Sequence, residues 1–471
     1  MEIIHQITSS VWGIAAAIVL LGLCIFFHEA GHFLVAKASK MRVDQFSLGF
    51  GPPIFGFTRG ETYYSINWVP IGGYVKIAGM EPGEVGVERG FHTRPRWMGA
   101  LTILAGVTMN LVLAVLLYTV TTYFQGVPLP GSPGSVVGKV FPGTPASRSA
   151  LQPGDQMVAM DGYRQGMTVA AVAPGSPAAQ VGIKADDRLL QVGDKALGAT
   201  VDVAERLAAP DGRERRVVFV DSTESDPLQA VRTVTLPALP PPASPLTPAT
   251  TSALLQKHLG LTFKSLDQSD VVNYTALRPK KTIMVTVRRG GAEVQVPVAT
   301  EPAQARVPMV TADGKLDSPI MTIGRMGVAL TMLTQPVSLL TAAKIGAFSA
   351  LDAVASVYLA LHGVISGQIA AAPGGPVQIV AMTYQQAQLG WTAVAQFGGF
   401  LSANLAVFNL LPIPPLDGFV LLQLGFEAAI RRRIDARLEY YVKVTGFVLL
   451  MVMIAAFTFN DLANLIRHGT P

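Results

Sequence analysis

Charge is missing from this chain in blocks, and that distribution limits its fold more than any single motif does. No Asp, Glu, Lys or Arg lies between Glu2 and Glu29, between Arg96 and Lys139, between Asp352 and Asp417, or between Lys443 and Asp461. A helix needs about 20 apolar residues to cross a bilayer. Stretches 11–27, 97–124 and 391–411 meet that requirement with their flanks, and 444–459 is shorter but strongly apolar. One such block is compatible with a buried core helix; four argue for membrane helices. Over 471 residues only 14% are charged, against about 25% in soluble domains, which excludes a disordered chain and argues against an ordinary soluble enzyme. The net charge of +5 includes no dense basic run interleaved with aromatics, so no nucleic-acid partner is expected. Cys24 is the single cysteine, so no intrachain disulfide and no multi-cysteine metal site can form.

The first block is too long for a removable signal peptide, and no basic segment precedes it. Basic residues predict orientation. Lys37, Lys40, Arg42, Arg89, Arg94 and Arg96 place 35–96 in the cytoplasm, and Arg431, Arg432, Arg433 and Arg437 place 412–442 there. The segment 125–315 and both termini are then extracytoplasmic. Lys344, Asp352 and nearby small polar residues favour amphipathic or membrane-associated helices over 316–390.

Between 131 and 315 charge returns to ordinary density. The stretch 136–162 repeats 32 residues later as 168–194, with PGTPA matched by PGSPA and Asp155 by Asp187. The pattern resembles PDZ domains, which capture extended peptides by adding a strand to a sheet edge. A copy of 32 residues is too short for such a domain, and hairpin-like stretches follow at 215–238 and 281–300. Nesting is therefore predicted: an inner unit over about 167–240 inserted into an outer one made of 135–166 and 262–300. The alternative is one such domain preceded by a degenerate half-copy. The proline-rich stretch 236–252 reads as a stiff return linker.

The chemistry concentrates at FFHEAGHFLVAK. His28 and His32, at i and i+4, share a helix face and can both bind one Zn²⁺, with Glu29 placed as the base for the water the metal activates. Ionisable groups at a membrane helix signal function by default. Asp417, in NLLPIPPLDG, ends the longest charge-free stretch at a proline-broken helix end and supplies a candidate third ligand.

HEAGH near the N-terminus, PDZ-like modules in the middle and NLLPIPPLDG near the C-terminus resemble the site-2 protease family of intramembrane zinc metalloproteases, closest to the bacterial regulator-of-sigma-E type. The resemblance implies one catalytic Zn²⁺ held by His28, His32 and Asp417, with Glu29 as catalytic base. It implies substrate-binding roles for Asn409, for Asn110 in a G-x-x-x-N pattern with Gly106, and for Gly72, Gly73, Tyr74, Val75 and Lys76 of a membrane-associated β-hairpin over about 62–80. PGGPVQIV (373–380) resembles a segment preceding the third helix of that family. Asn110 sits in GVTMN rather than the more usual G-P-x-x-N, and the PDZ-like region is rearranged.

The fold class implied is a polytopic α-helical membrane protein with about four transmembrane helices, a β-hairpin and an extracytoplasmic α+β region. Its parts are 1–124, 131–315, 316–390 and 391–471. The implied setting is the bacterial inner membrane. The implied substrate is a single-pass transmembrane protein, such as an anti-sigma factor or a signal-peptide remnant, cut first by an upstream site-1-type protease. An extended peptide or new carboxyl terminus would occupy the PDZ-like region. Two competing readings are a non-catalytic membrane scaffold and a metal transporter. Neither has a use for Glu29.

Overall fold

The computed structural model describes residues 2–81, 84, 86–128, 135–208, 213–224, 230–242, 244–307, 309–311, 316–317, 319–332, 334–366 and 375–468. The boundaries expected at 131 and 315, and residues 373–374 of PGGPVQIV, lie outside the described residues. Two compact units emerge. The first takes its residues from Met1–Val127, Pro336–Ala360 and Ala372–Thr470, the second from Pro128–Gln335 and Leu361–Ala371.

The first unit holds helix α1 (Glu2–Ala38), strands β1 (Val43–Arg59) and β2 (Thr62–Ile77), and helices α2 (Arg96–Gln125), α3 (Leu339–Ile365) as far as Ala360, α4 (Pro376–Leu389), α5 (Trp391–Asn409), α6 (Asp417–Ile430) and α7 (Ala436–His468). Pro95 precedes α2, and Gly126, at φ +75°, ends it in a conformation that a side chain disfavours. Four helices are long and apolar enough to cross a membrane: Ala15–Ala38, Arg96–Gln125, Leu339–Val364 and Ala436–Ala463. Their outer faces carry exposed Val19, Phe124, Phe348 and Val452, an apolar surface of the kind lipid covers.

This set differs from the sequence reading in two places. The segment 316–390, expected to form amphipathic or membrane-associated helices, is helical only from Leu339 on. It opens with strands Leu316–Asp317, Ile320–Arg325, Val328–Thr331 and Thr334–Gln335, and Lys344 and Asp352 are the only charges in the 27 residues of α3. The block 391–411 becomes the 19-residue α5, buried through Phe397, Gly398, Gly399, Leu401, Ser402, Ala403 and Ala406. One face packs on neighbouring helices, where Ser402 Oγ donates to the Asn110 carbonyl of α2 at 2.8 Å, while Trp391, Phe400 and Phe408 stay exposed on the other.

α1 and α2 approach closely at Gly31, where a Cβ would run into the Ala105 carbonyl. β1 and β2 fold back on α1. Residues 43–48 lie centrally, facing 73–77 on one side and Tyr63, Tyr64, Ser65 and Ile66 on the other, while 53–59 returns along 62–67. Among the described residues the 73–77 stretch is therefore paired along one edge alone.

The second unit contains two larger sheets. One orders its strands Ala292–Ala299, Thr282–Arg289, Gln156–Met160, Val136–Val140 and Val328–Thr331. Its core includes Met157, Met160, Tyr274, Val285 and Val296. The other orders Val231–Leu236, Arg215–Val220, Arg188–Val192, Gln165–Val172 and Leu261–Ser265 around Met167, Leu189, Leu207, Phe219 and Leu255. The matched aspartates do the same work in each: Asp155 accepts the Gln152 N–H at 2.9 Å and Asp187 the Lys184 N–H at 2.8 Å.

Three boundaries move. Leu261–Ser265 pairs with Gln165–Val172, with Leu261 opposite Val172, because Leu261 and Phe263 point into that second core; it does not join 282–300. Val328–Thr331 joins the 136–160 strands through Val328 opposite Val140, well past residue 315. The proline-rich 236–252, read as a stiff return linker, packs into the second core through Leu236 and Leu239. Leu239 is buried and its N–H reaches the Leu207 carbonyl, and Thr247 caps a helix over Pro248–Leu259.

Asp270 ties the two sheets' chain segments together. Fully buried, it accepts the Met167 N–H at 2.9 Å and an Arg188 guanidinium N–H at 2.6 Å. Arg188 keeps a second carboxylate, Asp267, at 2.7 Å, but the Met167 N–H loses its acceptor, so Asp270→Ala should destabilise this unit by about 1–3 kcal/mol. Urea unfolding of the full chain, followed by limited proteolysis, would show an unchanged midpoint if the pair is dispensable.

Candidate metal centre

The HEAGH segment lies within the candidate membrane span Ala15–Ala38 of α1. The imidazoles of His28 and His32, one turn apart, meet edge to face and turn towards α2, with 3.2 Å between their Nε2 atoms. Asp417, the first residue of α6, brings Oδ2 to 3.3 Å from each Nε2. The three ligand atoms lie within 4.8 Å of one another.

Two observations test whether this set fits a zinc ion. Oδ2 of Asp417 is buried and has no hydrogen-bond donor, an unmet acceptor that a cation satisfies. His32 Nδ1 lies 2.8 Å from the Thr102 carbonyl; that carbonyl can only accept, so Nδ1 carries the proton and Nε2 presents its lone pair. Asn110 stands equivalently behind His28. Its Nδ2 is 3.3 Å from His28 Nδ1, while its Oδ1 is buried and unpaired. Turning the amide over lets Oδ1 accept the Nδ1 proton and frees His28 Nε2 in the same way. Two imidazoles and one carboxylate, with a position left for water, form a standard catalytic zinc donor set.

Close approach makes the cluster possible. A Cβ on Gly106 would fall on the His32 and His28 rings. Gly73 of β2 packs against α1, where a Cβ would meet Ile25 Cγ2 at 2.9 Å and Glu29 Cγ at 3.2 Å. The Val75 backbone N–H lies against the Glu29 carboxylate. Asn409, the last residue of α5, places Nδ2 3.5 Å from His28 Nε2. The fold thus gathers His28, Glu29, His32, Asn110, Asn409, Asp417, Gly73 and Val75. The neighbours in β2 are engaged elsewhere: Tyr74 stacks on Phe50, whose ring covers Gly72, and Lys76 pairs with Glu81 at 3.0 Å. Thr102, Ser402 and Gly31 also build the site without having been singled out in the sequence. Thr102 acts through a backbone carbonyl, and the other two through packing partners far away in sequence.

A helix-borne pair of imidazoles, a distant carboxylate and an adjacent glutamate, set among apolar helices, have the make-up of a zinc peptidase centre in a membrane protein. The comparison with known families agrees. The model of peptidase family M50 matches residues 16–453, and the chain belongs to that family. It is similar over nearly its whole length to the regulator of sigma-W protease RasP of Bacillus subtilis, at 28% identity over 96% of this chain and 98% of the relative. It is similar likewise to the regulator of sigma-E protease RseP of Salmonella typhimurium, at 25% identity over 97% of this chain and 100% of the relative. The protein is a zinc metalloendopeptidase with helices suited to a membrane.

Proposed function

We propose that this peptidase cuts the transmembrane segment of a single-pass protein, with His28, His32 and Asp417 as zinc ligands and Glu29 as base. The observation that carries the reading is the Asp417 carboxylate, which sits 3.3 Å from both Nε2 atoms with its buried Oδ2 otherwise unpartnered. The zinc ion supplies Lewis acidity towards water and the scissile carbonyl. Glu29 takes the attacking water's proton and delivers it to the leaving amide nitrogen. Thr102 and Asn110 hold the imidazoles in the ligating tautomer.

A transmembrane helix hides its peptide groups in internal hydrogen bonds, and cleavage needs them exposed. The unpaired edge of 73–77, beside Glu29, can accept an unwound segment as an added strand. Gly73 keeps that edge close to α1, and Asn409 offers an amide to the substrate backbone. We place an anti-sigma factor or signal-peptide remnant, trimmed first by a site-1-type protease, in the substrate role; the relatives' names, regulators of sigma-W and sigma-E, support the first of these. The second unit fits a pair of nested PDZ-like modules, because 282–289 pairs with 156–160 around an inserted sheet. Such modules would receive extended peptides or new carboxyl termini. The test is cleavage of a model transmembrane substrate by the parent and by Glu29→Gln.

Orientation is proposed from the basic loops: 35–96 and 412–442 in the cytoplasm, the second unit and both termini outside. Cys24 is fully buried and gives a silent background for labelling. In spheroplasts of a bacterial host, an impermeant maleimide should modify Lys195→Cys and spare Arg432→Cys, both exposed positions. The reverse pattern would overturn the orientation.

A further inference from the structure

A cavity of about 280 Å³ lies where α2 begins and α6 ends, away from the metal centre, and is lined by Phe91, His92, Arg94, Arg96, Glu427 and Arg433 among others. It is far larger than one water requires. Its charge is unbalanced: three guanidiniums face one carboxylate. Arg94, Arg96 and Arg433 make no ion pair with a carboxylate among the described residues. Arg94 Nη2 donates to the Lys40 carbonyl at 2.7 Å and Arg433 Nη2 to the His92 carbonyl at 2.8 Å. Nε of Arg94 is buried without any acceptor. Glu427 is itself buried, and its Oε1 accepts the Ile434 N–H at 3.1 Å, so its charge is directed at the adjoining loop. Burial and the Arg433 guanidinium hold His92 below its ordinary value, so the positive charge comes from the arginines.

We propose that this cavity binds the phosphate of an anionic phospholipid. Guanidiniums with open donors match phosphate oxygens, and the uncapped first turn of α2 adds backbone N–H groups and the positive end of its dipole. Lipid, rather than free phosphate, is favoured by what adjoins the basic residues. α2 is a candidate membrane span that starts at Arg96, and it carries Trp97 at 60% exposure one residue on; on α6, Phe426 at 54% precedes Glu427. An apolar surface continuous with a basic pocket at a helix end suits a charged headgroup with acyl chains. α6 starts at Asp417, so a lipid here would brace the far end of that helix against α2.

Native mass spectrometry of the full chain in detergent, titrated with phosphatidylglycerol or phosphatidylcholine, tests the site. The parent should retain phosphatidylglycerol in preference. Arg94→Gln and Arg433→Gln should each weaken that binding about fivefold, from about 1 kcal/mol per basic residue, and Arg433→Lys should keep part of it. No preference between the two lipids in the parent would overturn the proposal whatever the variants do. Equal phosphatidylglycerol binding by the parent and a double variant whose thermal stability in detergent is unchanged would overturn it too. Inorganic phosphate that displaces phosphatidylglycerol and raises thermal stability as much would assign the cavity to free phosphate and overturn the lipid source.

Discussion

Glu29→Gln should lower cleavage of a transmembrane substrate by about 10²–10⁴-fold, the usual share of general acid–base catalysis, while bound zinc stays at the parent's level. The substitution is nearly isosteric and keeps an oxygen for the Val75 N–H that lies against this side chain. The three proposed ligand atoms, on His28, His32 and Asp417, are untouched. What is lost is a group that can accept a proton from water and return it to nitrogen. Zinc content by plasma emission, together with cleavage of a fluorescent transmembrane substrate in proteoliposomes, separates the two effects. Cleavage at the parental rate would remove Glu29 from the mechanism, and loss of zinc would make it a ligand instead.

The second large effect concerns a residue with no side chain. Gly106→Ala should weaken zinc binding about 10–100-fold, the scale seen when the support of a metal ligand is disturbed, and cleavage should fall with it. The added methyl lands on both imidazoles. Relief is difficult, because α1 and α2 already touch at Gly31 and the Ala105 carbonyl and His32 is held by the Thr102 carbonyl. The rings must turn away from Asp417, or the helices must part. Gly22→Ala, in the same α1 helix but with nothing within 4 Å of the new methyl, is the control and should leave zinc unchanged. Equal zinc affinity in the two variants would show that the site tolerates the displacement.

Parts of the architecture were open to inspection in the sequence because they rest on short-range regularities. Absent charge marks the apolar stretches of α1, α2 and α7, and the i, i+4 spacing puts His28 and His32 on one face whatever surrounds them. The PGTPA and PGSPA copies announced two related units, since each aspartate closes a turn onto an amide three residues before it. Strand membership was another matter. Leu261–Ser265 and Val328–Thr331 are short, and a run of five or four residues carries too little periodicity to say which of two sheets it enters. A different limit hid α3, because Lys344 and Asp352 interrupt an otherwise apolar helix long enough to cross a membrane.

At the metal centre the division falls between residue types and their partners. The sequence by itself determined which side chains can ligate and which can move a proton: two imidazoles one helical turn apart, a glutamate between them, and one carboxylate far along the chain. Their chemistry is intrinsic to the side chains and their local spacing. Tertiary structure alone decided that Asp417 meets both Nε2 atoms, that Thr102 and Asn110 stand behind the rings, that Gly106 leaves room for them, and that 73–77 presents its unpaired edge beside Glu29. These contacts span from 46 residues of chain, Glu29 to Val75, to 389, His28 to Asp417. They depend on how closely helices approach, which small residues and long-range packing set and no local pattern records.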